Sequence, residues 1–291
     1  MQVVSYNIQY GTGKDGNIDL ERIASEIGDA DVIALQEVER FNSTTGMVDQ
    51  VAAFSELFPT HYVAYGPGVD LDASFKDDAG HVINRRRQFG NMLLSKTPLI
   101  SSRNHLLPKY GLLGPLALQR SALEGVIDCG LGLIRVYSVH LGHAAAPERA
   151  KQIRTLMRLV RNAPRNGGLW SGRHVGKHWT KDGPHPPMPS PALMLGDFNL
   201  EPDSREYEQL VGPTDKKYGR LTRLDGFIDL WTHLKHPLDG PETKTCPDEK
   251  GDMRIDYAFS TVDLADKAKA MRVDQNAQGS DHHPIFIEFE S

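Results

Sequence analysis

Val3-Val4-Ser5-Tyr6-Asn7, Ile18-Asp19-Leu20-Glu21-Arg22-Ile23-Ala24-Ser25-Glu26-Ile27 and Val32-Ile33-Ala34-Leu35-Gln36-Glu37 read in succession as strand, amphipathic helix and strand. Leu20, Ile23 and Ile27 share one helix face, and Gly28 stands where a helix stop is expected. The same order returns from Leu133-Ile134-Arg135-Val136-Tyr137-Ser138-Val139-His140 through Pro147-Glu148-Arg149 to Ala192-Leu193-Met194-Leu195-Gly196-Asp197. In this second helix Ile153, Leu156, Met157 and Val160 form the apolar stripe. Arg149, Lys151, Arg154, Arg158 and Arg161 turn outward, which reads as a solvated face rather than a binding one. Units this short favour parallel strands joined by a crossover, and parallel strands end at the same sheet edge. Side by side, the two units bring Asn7, Glu37, His140, Asp197 and Asn199 to one rim.

Outward from these units the texture is strand-rich, as in Asn91-Met92-Leu93-Leu94-Ser95, Ile255-Asp256-Tyr257-Ala258-Phe259 and Ile285-Phe286-Ile287-Glu288-Phe289. Mixed strands with helices outside predict two packed sheets in one domain, 1–291. The Gly- and Pro-rich stretch 162–191 sits inside the second unit and reads as an inserted loop. With 39% hydrophobic and 24% charged residues in 291, the chain has material for a large core, which excludes disorder. The 33 basic and 38 acidic residues leave a net charge of −5, so no overall basic field draws in polyanions. Cys129 and Cys246 match no metal or disulfide spacing. Met1 is followed by no basic start and apolar core, and no apolar run approaches about 18 residues. These features predict a cytoplasmic protein.

Acidic and amide residues at several strand ends imply a shared task. Gly196-Asp197-Phe198-Asn199 puts Asp197 and Asn199 two apart, so on an extended chain both face one way and Phe198 the other. Such a pair can hold and polarise a water, although Asp-x-Asn after a strand is also an ordinary turn signal. Ser280-Asp281-His282-His283-Pro284 sets a hard oxygen ligand beside a proton-handling ring. Asp256 can orient a histidine and fix its tautomer, while His140 alone reads equally as an edge residue.

Taken together, Tyr6-Asn7-Ile8, Leu35-Gln36-Glu37-Val38, Gly90-Asn91-Met92-Leu93-Leu94-Ser95, Ser138-Val139-His140-Leu141, Gly196-Asp197-Phe198-Asn199, Arg254-Ile255-Asp256-Tyr257 and Ser280-Asp281-His282 stand in an ordered series. That series resembles the DNase I-like endonuclease/exonuclease/phosphatase superfamily from Tyr6 to His282. The resemblance implies a four-layered α/β sandwich and phosphoester hydrolysis with Mg²⁺ or Mn²⁺. It implies that Glu37 is the main metal ligand, with Asn7 and Asp281 close by. It further implies that Asp197 aligns or deprotonates the attacking water beside Asn199. His282, paired with Asp256, is expected to contact the phosphate or act as a base, and His140 to stabilise the phosphorane or aid the leaving group.

Loops between the motifs are expected to choose the substrate. The segment 66–88 carries His81 and Arg85-Arg86-Arg87 and leads to Asn91. Those arginines either clamp a second phosphate or acidic head group, or answer Asp70, Asp72, Asp77 and Asp78 as a solvated cluster. The segment 106–119 leads into Arg120, a further candidate for substrate contact. Its Leu112-Leu113-Gly114-Pro115-Leu116 reads as a buried Ω-type loop, with a lipid-touching tip as the alternative. The insert 162–191 holds Trp170, Trp179, His174, His178 and His185. His174 and His178 have helical ligand spacing, but the flanking Gly and Pro argue against a second metal site. The crossover places this insert opposite the rim, as an interface or an edge cover.

The expected substrate is a small or lipid-linked phosphoester, with peripheral membrane contact admitted. A nuclease is the alternative; nucleic acid is not favoured, because the acidic total and scarce lysine near the motifs give no basic groove. A non-catalytic scaffold is the remote third reading. Oligomeric state is not legible.

Overall fold

The computed structural model describes residues 1–172, 176–181, 183, 185–238, 240–247 and 251–290. Two six-stranded sheets form its centre. The first contains β1 (Gln2–Asn7), β2 (Val32–Arg40), β3 (Tyr62–Asp72), β4 (Arg86–Ser95), β11 (Ala268–Val273) and β12 (Ile285–Phe289), ordered β11-β12-β1-β2-β4-β3. The second contains β5 (Leu99–Leu106), β6 (Ser121–Cys129), β7 (Gly132–His140), β8 (Ala192–Asp197), β9 (Ile228–Asp229) and β10 (Asp256–Ser260), ordered β9-β10-β8-β7-β6-β5. Both crossover units pair in parallel, Asn7 opposite Gln36 and Asp197 opposite His140.

Strand alternation explains the layering. Val3, Val32 and Ala34 join Leu193, Leu195 and Ile134 in the core between the sheets. Their sequence neighbours Val4, Ile33 and Leu35 face the other way, onto Ile23 and Ile27 of α1 (Leu20–Ile27) and Phe54 of α2 (Gln50–Leu57). Behind the second sheet, Tyr137, Val139 and Met194 meet Ile153, Leu156 and Val160 of α3 (Ala146–Asn166). Helices, sheet, sheet and helices make the four-layered α/β sandwich. Helix α1 begins at Asp19, whose carboxylate accepts from the Arg22 amide, and ends at Gly28 with φ +67°.

Three segments differ from the sequence reading. First, α3 continues to Asn166, through Pro164, and takes the first five residues of the expected insert. Proline cannot donate to the carbonyl four residues back, that of Val160. Arg135 Nη1 donates to that oxygen instead, at 2.8 Å, while its Nε and Nη2 hold the Pro189 and Ser190 carbonyls. The rest of the insert includes the short helix Lys177–Thr180 and sets Trp170 beside Trp179, ring centroids 5.8 Å apart and planes tilted by 46°. His174 lies outside the described residues. As the crossover required, the insert leads into the end of β8 away from Asp197.

Second, much of 66–88 is paired rather than looped. Strands β3 and β4 extend past the sheet as a two-stranded ribbon, Leu71 opposite Arg87 and Asp72 opposite Arg86, tipped by a bridge of 75–76 with 82–83. Neither ribbon face is fully buried, so no apolar alternation marks it in sequence. Third, the tip of 106–119 is not buried: Leu113 is fully exposed and Leu116 is 69% exposed, while Leu107 enters the core. No helix among the described residues is long and apolar enough to cross a membrane.

Candidate active site

The C-terminal ends of four parallel-paired strands and two neighbouring segments meet at one rim. Asn7 closes β1, His140 closes β7 and Asp197 closes β8; Asp256 opens the antiparallel β10 directly opposite Asp197. Glu37 is delivered differently. A bulge interrupts the β2–β4 ladder between Leu35 and Val38, and Glu37 takes φ +62° within it. A side chain other than glycine in that region is strained, and the bulge re-aims its carboxylate toward His140, Oε1 to Nε2 3.8 Å. Gly196 is equally specific: a Cβ there meets the Val139 carbonyl oxygen at 2.0 Å, so only glycine lets β8 approach β7 beside Asp197.

Hydrogen-bonded pairs span the rim. Asn7 Nδ2 donates to Asp197 Oδ2 at 3.0 Å and lies 3.5 Å from His282 Nε2. His282 Nδ1 is 2.8 Å from Asp256 Oδ2, and Thr245 Oγ1 accepts from the Asp256 amide. On the other side His140 Nε2 stands 3.3 Å from Asp197 Oδ2. Gln9 Nε2 holds Asp281 Oδ2 at 2.7 Å, and the Gln9 amide donates to Asn7 Oδ1. Asn199 is not on an extended chain. It turns with φ +51°, its amide donating to Asp197 Oδ1 and its Nδ2 to the Leu141 carbonyl, so it braces Asp197 instead of standing beside it. Phe198 faces the core, as the alternation required.

The other expected contacts are spread more widely. Asn91 lies between the sheets, its amide donating to the Ser121 and Ser138 carbonyls. Arg120 sits under the rim, against His140 and His143. Arg86 pairs with Asp70 at 2.8 Å, and Arg85 packs over Phe41 and Phe75 at 5.3 and 4.8 Å. Arg87 makes no ion pair among the described residues. Gln9, Thr245, His143 and the rim aromatics Tyr10 and Phe89 escape sequence reading, because no local pattern marks residues joined only by the fold.

Charge is arranged as unequally as geometry. Burial pushes the Glu37 carboxyl up to about 7, with Arg120 and His282 opposing and Asp197 and Asp281 reinforcing. Burial alone would raise Asp197 too, but His140, His282 and the Asn199 amide hold it below the usual carboxylate range. Burial and the Arg120 charge lower His140 to about 4, so this ring is neutral near pH 7. Burial disfavours charge on His282, yet the Asp256 carboxylate outweighs it and raises the ring well above an ordinary histidine.

The donors suit a hard divalent cation. Glu37 accepts no hydrogen bond from the described residues, and a partly buried carboxylate without a donor favours a cation. Asp197, Asp256 and His282 also place ligand atoms within 4.8 Å of one another, close enough to hold an ion. His282 is committed to Asp256, however, which suits proton handling better than ligation.

The sequence model of the Endonuclease/Exonuclease/phosphatase family matches residues 4–282. No curated protein matches the chain. Among solved structures, an endonuclease/exonuclease/phosphatase from Beutenbergia cavernae is 21% identical, TM-score 0.63, over 99% of this chain and 70% of that one. A mannosyl-6-phosphatase from Bacteroides thetaiotaomicron is 17% identical, TM-score 0.60, over the whole of both chains. The 3′ phosphatase NExo from Neisseria, bound to a product DNA hairpin, is 14% identical, TM-score 0.59, again over both whole chains. At these identities the likeness is one of fold.

Proposed function

From the premise that the chain belongs to the endonuclease/exonuclease/phosphatase family of phosphoester-hydrolysing enzymes, we propose a metal-dependent hydrolase of small or lipid-linked phosphoesters, built as one domain with 162–191 as an insert. The observation that carries this reading is the rim itself: Glu37, which accepts no hydrogen bond from the described residues, beside the hydrogen-bonded pairs Asn7–Asp197 and Asp256–His282.

Glu37 would hold Mg²⁺ or Mn²⁺, with Asn7 and Asp281 offering the further oxygens. When bound, the ion supplies positive charge to the phosphoryl oxygens. Asp197, held ionised, is a weak proton acceptor, so its task is to align the attacking water, with Asn199 bracing it. His282, kept cationic by Asp256, donates from Nε2 to the phosphate and offsets charge gathering there. His140, neutral, donates a hydrogen bond to the phosphorane or leaving oxygen.

A nuclease reading is not favoured. Many of the arginines are answered by carboxylates, as Arg22 by Asp15, Arg40 by Asp49 and Arg86 by Asp70, which counts against a continuous basic groove. Bis-p-nitrophenyl phosphate, sphingomyelin, phosphoinositides and single- and double-stranded DNA, each assayed with Mg²⁺, Mn²⁺ and EDTA, test the proposal. Metal-dependent turnover of a non-nucleic phosphoester is expected. Turnover of none of them moves the reading to a scaffold, and of DNA alone to a nuclease.

A further inference from the structure

Arg120 immediately precedes β6 and is 4% exposed, its guanidinium stacked on the Phe89 ring at 5.7 Å. Its Nη1 is 3.1 Å from His140 Nδ1 and its Nη2 is 3.0 Å from His143 Nδ1. A guanidinium has donors only and keeps its proton, so each Nδ1 must accept. A neutral imidazole carries one proton, which both contacts force onto Nε2. We propose that Arg120 is a positioning residue that locks His140 and His143 together in the Nε2–H tautomer, making His143 a second imidazole donor to the substrate's phosphoryl or leaving oxygen.

The surroundings agree with that direction of donation. His140 Nε2 faces carboxylates, Asp197 Oδ2 at 3.3 Å and Glu37 Oε1 at 3.8 Å, the partners an N–H seeks. His143 lies three residues past the end of β7, exposed at the rim, where Arg149 Nη1 anchors its carbonyl at 3.1 Å. The Arg120 Nε–H is buried without a partner among the described residues, so the guanidinium is placed by Phe89 and the two rings rather than by its own full satisfaction. Of the four terminal N–H groups of Arg120, one on Nη1 and one on Nη2 serve the two histidines.

The part given to His143 rests on the hydrolase reading, whereas the tautomer does not. Nitrogen-15 correlation NMR of the full chain at a pH where the rings are neutral is expected to show protonated Nε2 and bare Nδ1 on both histidines. Protonated Nδ1 on either one overturns the proposal, whether or not any substrate is hydrolysed. Arg120→Met is expected to give both rings a tautomer mixture and to lower kcat by about 10–100-fold, the usual cost of losing a group that orients a functional histidine, with KM changed less. Arg120→Lys, whose compact ammonium lacks the guanidinium fork, should restore one ring and part of kcat. A folded Arg120→Met with unchanged tautomers and kcat overturns the positioning role; if that variant does not fold, a Lys variant with both tautomers and kcat unchanged does so. His143→Ala should lower kcat while leaving the His140 tautomer intact, and unchanged kcat removes His143 from the site.

Discussion

Glu37 carries the greatest chemical weight of any single residue, because burial pushes its carboxyl up to about 7 in a place where it accepts no hydrogen bond from the described residues. Protons and metal then compete for it. The raised value means the carboxylate is lost as pH falls through about 7, so Mn²⁺ affinity measured by calorimetry should drop between pH 8 and pH 6. Glu37→Gln should bind weakly at both. Asp197→Asn should retain the fold and lose at least about 10²-fold in kcat, the cost of misplacing an attacking water, as read by steady-state kinetics and circular dichroism together. At this scale the sequence was informative wherever chemistry sat at a strand end, as with Asn7, His140 and Asp197. It was silent where a residue acts across the fold: Gln9 reaches Asp281 over 272 positions, and nothing near either residue announces it.

Elements show why some boundaries were readable and others were not. Helix α1 has a cap at Asp19, an apolar stripe and a glycine stop, each visible in sequence. Helix α3 also stops at a glycine, Gly167 with φ +77°, but its passage through Pro164 depends on Arg135, twenty-nine positions earlier, which supplies the donor the proline lacks. Arg135→Met should leave the buried Val160 carbonyl unpaired and the partly exposed Pro189 and Ser190 carbonyls without this donor, destabilising the protein by about 1–3 kcal/mol in urea titration, the cost of the one buried unsatisfied group. Pro164→Ala should recover part of that loss by returning a helical N–H, while turnover stays unchanged because the staple is remote from the rim.

In the second sheet, Glu124 is buried between Tyr137, Arg103 and His105 at 2.7, 2.8 and 3.3 Å. Burial opposes its charge, but His105, Tyr137 and Arg103 hold its carboxyl down at about 2 against an ordinary 4.5. A depressed value stabilises the fold above 4.5, and that contribution fades as pH falls toward about 2. The stability gap between wild type and Glu124→Gln should therefore narrow across that window in acid denaturation. A gap independent of pH there would show that the carboxylate does not hold this edge. The β3–β4 ribbon, by contrast, has two solvated faces, and pairing of that kind leaves no periodic trace for sequence reading to find.

For the molecule as a whole, two parallel crossover units place a strand-end residue from each sheet at the same rim, and that convergence was legible before any coordinates. What the sandwich adds is the asymmetry of the cleft: a cationic His282, a neutral His140, an ionised Asp197 and a proton-competing Glu37 around one space. Under the proposed hydrolase reading the net charge of −5 is a poor guide to phosphate binding, since the carboxylates at the rim would meet phosphate through a cation. The most direct test is Mn²⁺ titration of bis-p-nitrophenyl phosphate hydrolysis by the EDTA-stripped protein and its Glu37→Gln variant. The account predicts activity that saturates with Mn²⁺ in the wild type and is lost or greatly right-shifted in the variant; activity persisting without metal, or titrating identically in both proteins, would contradict it.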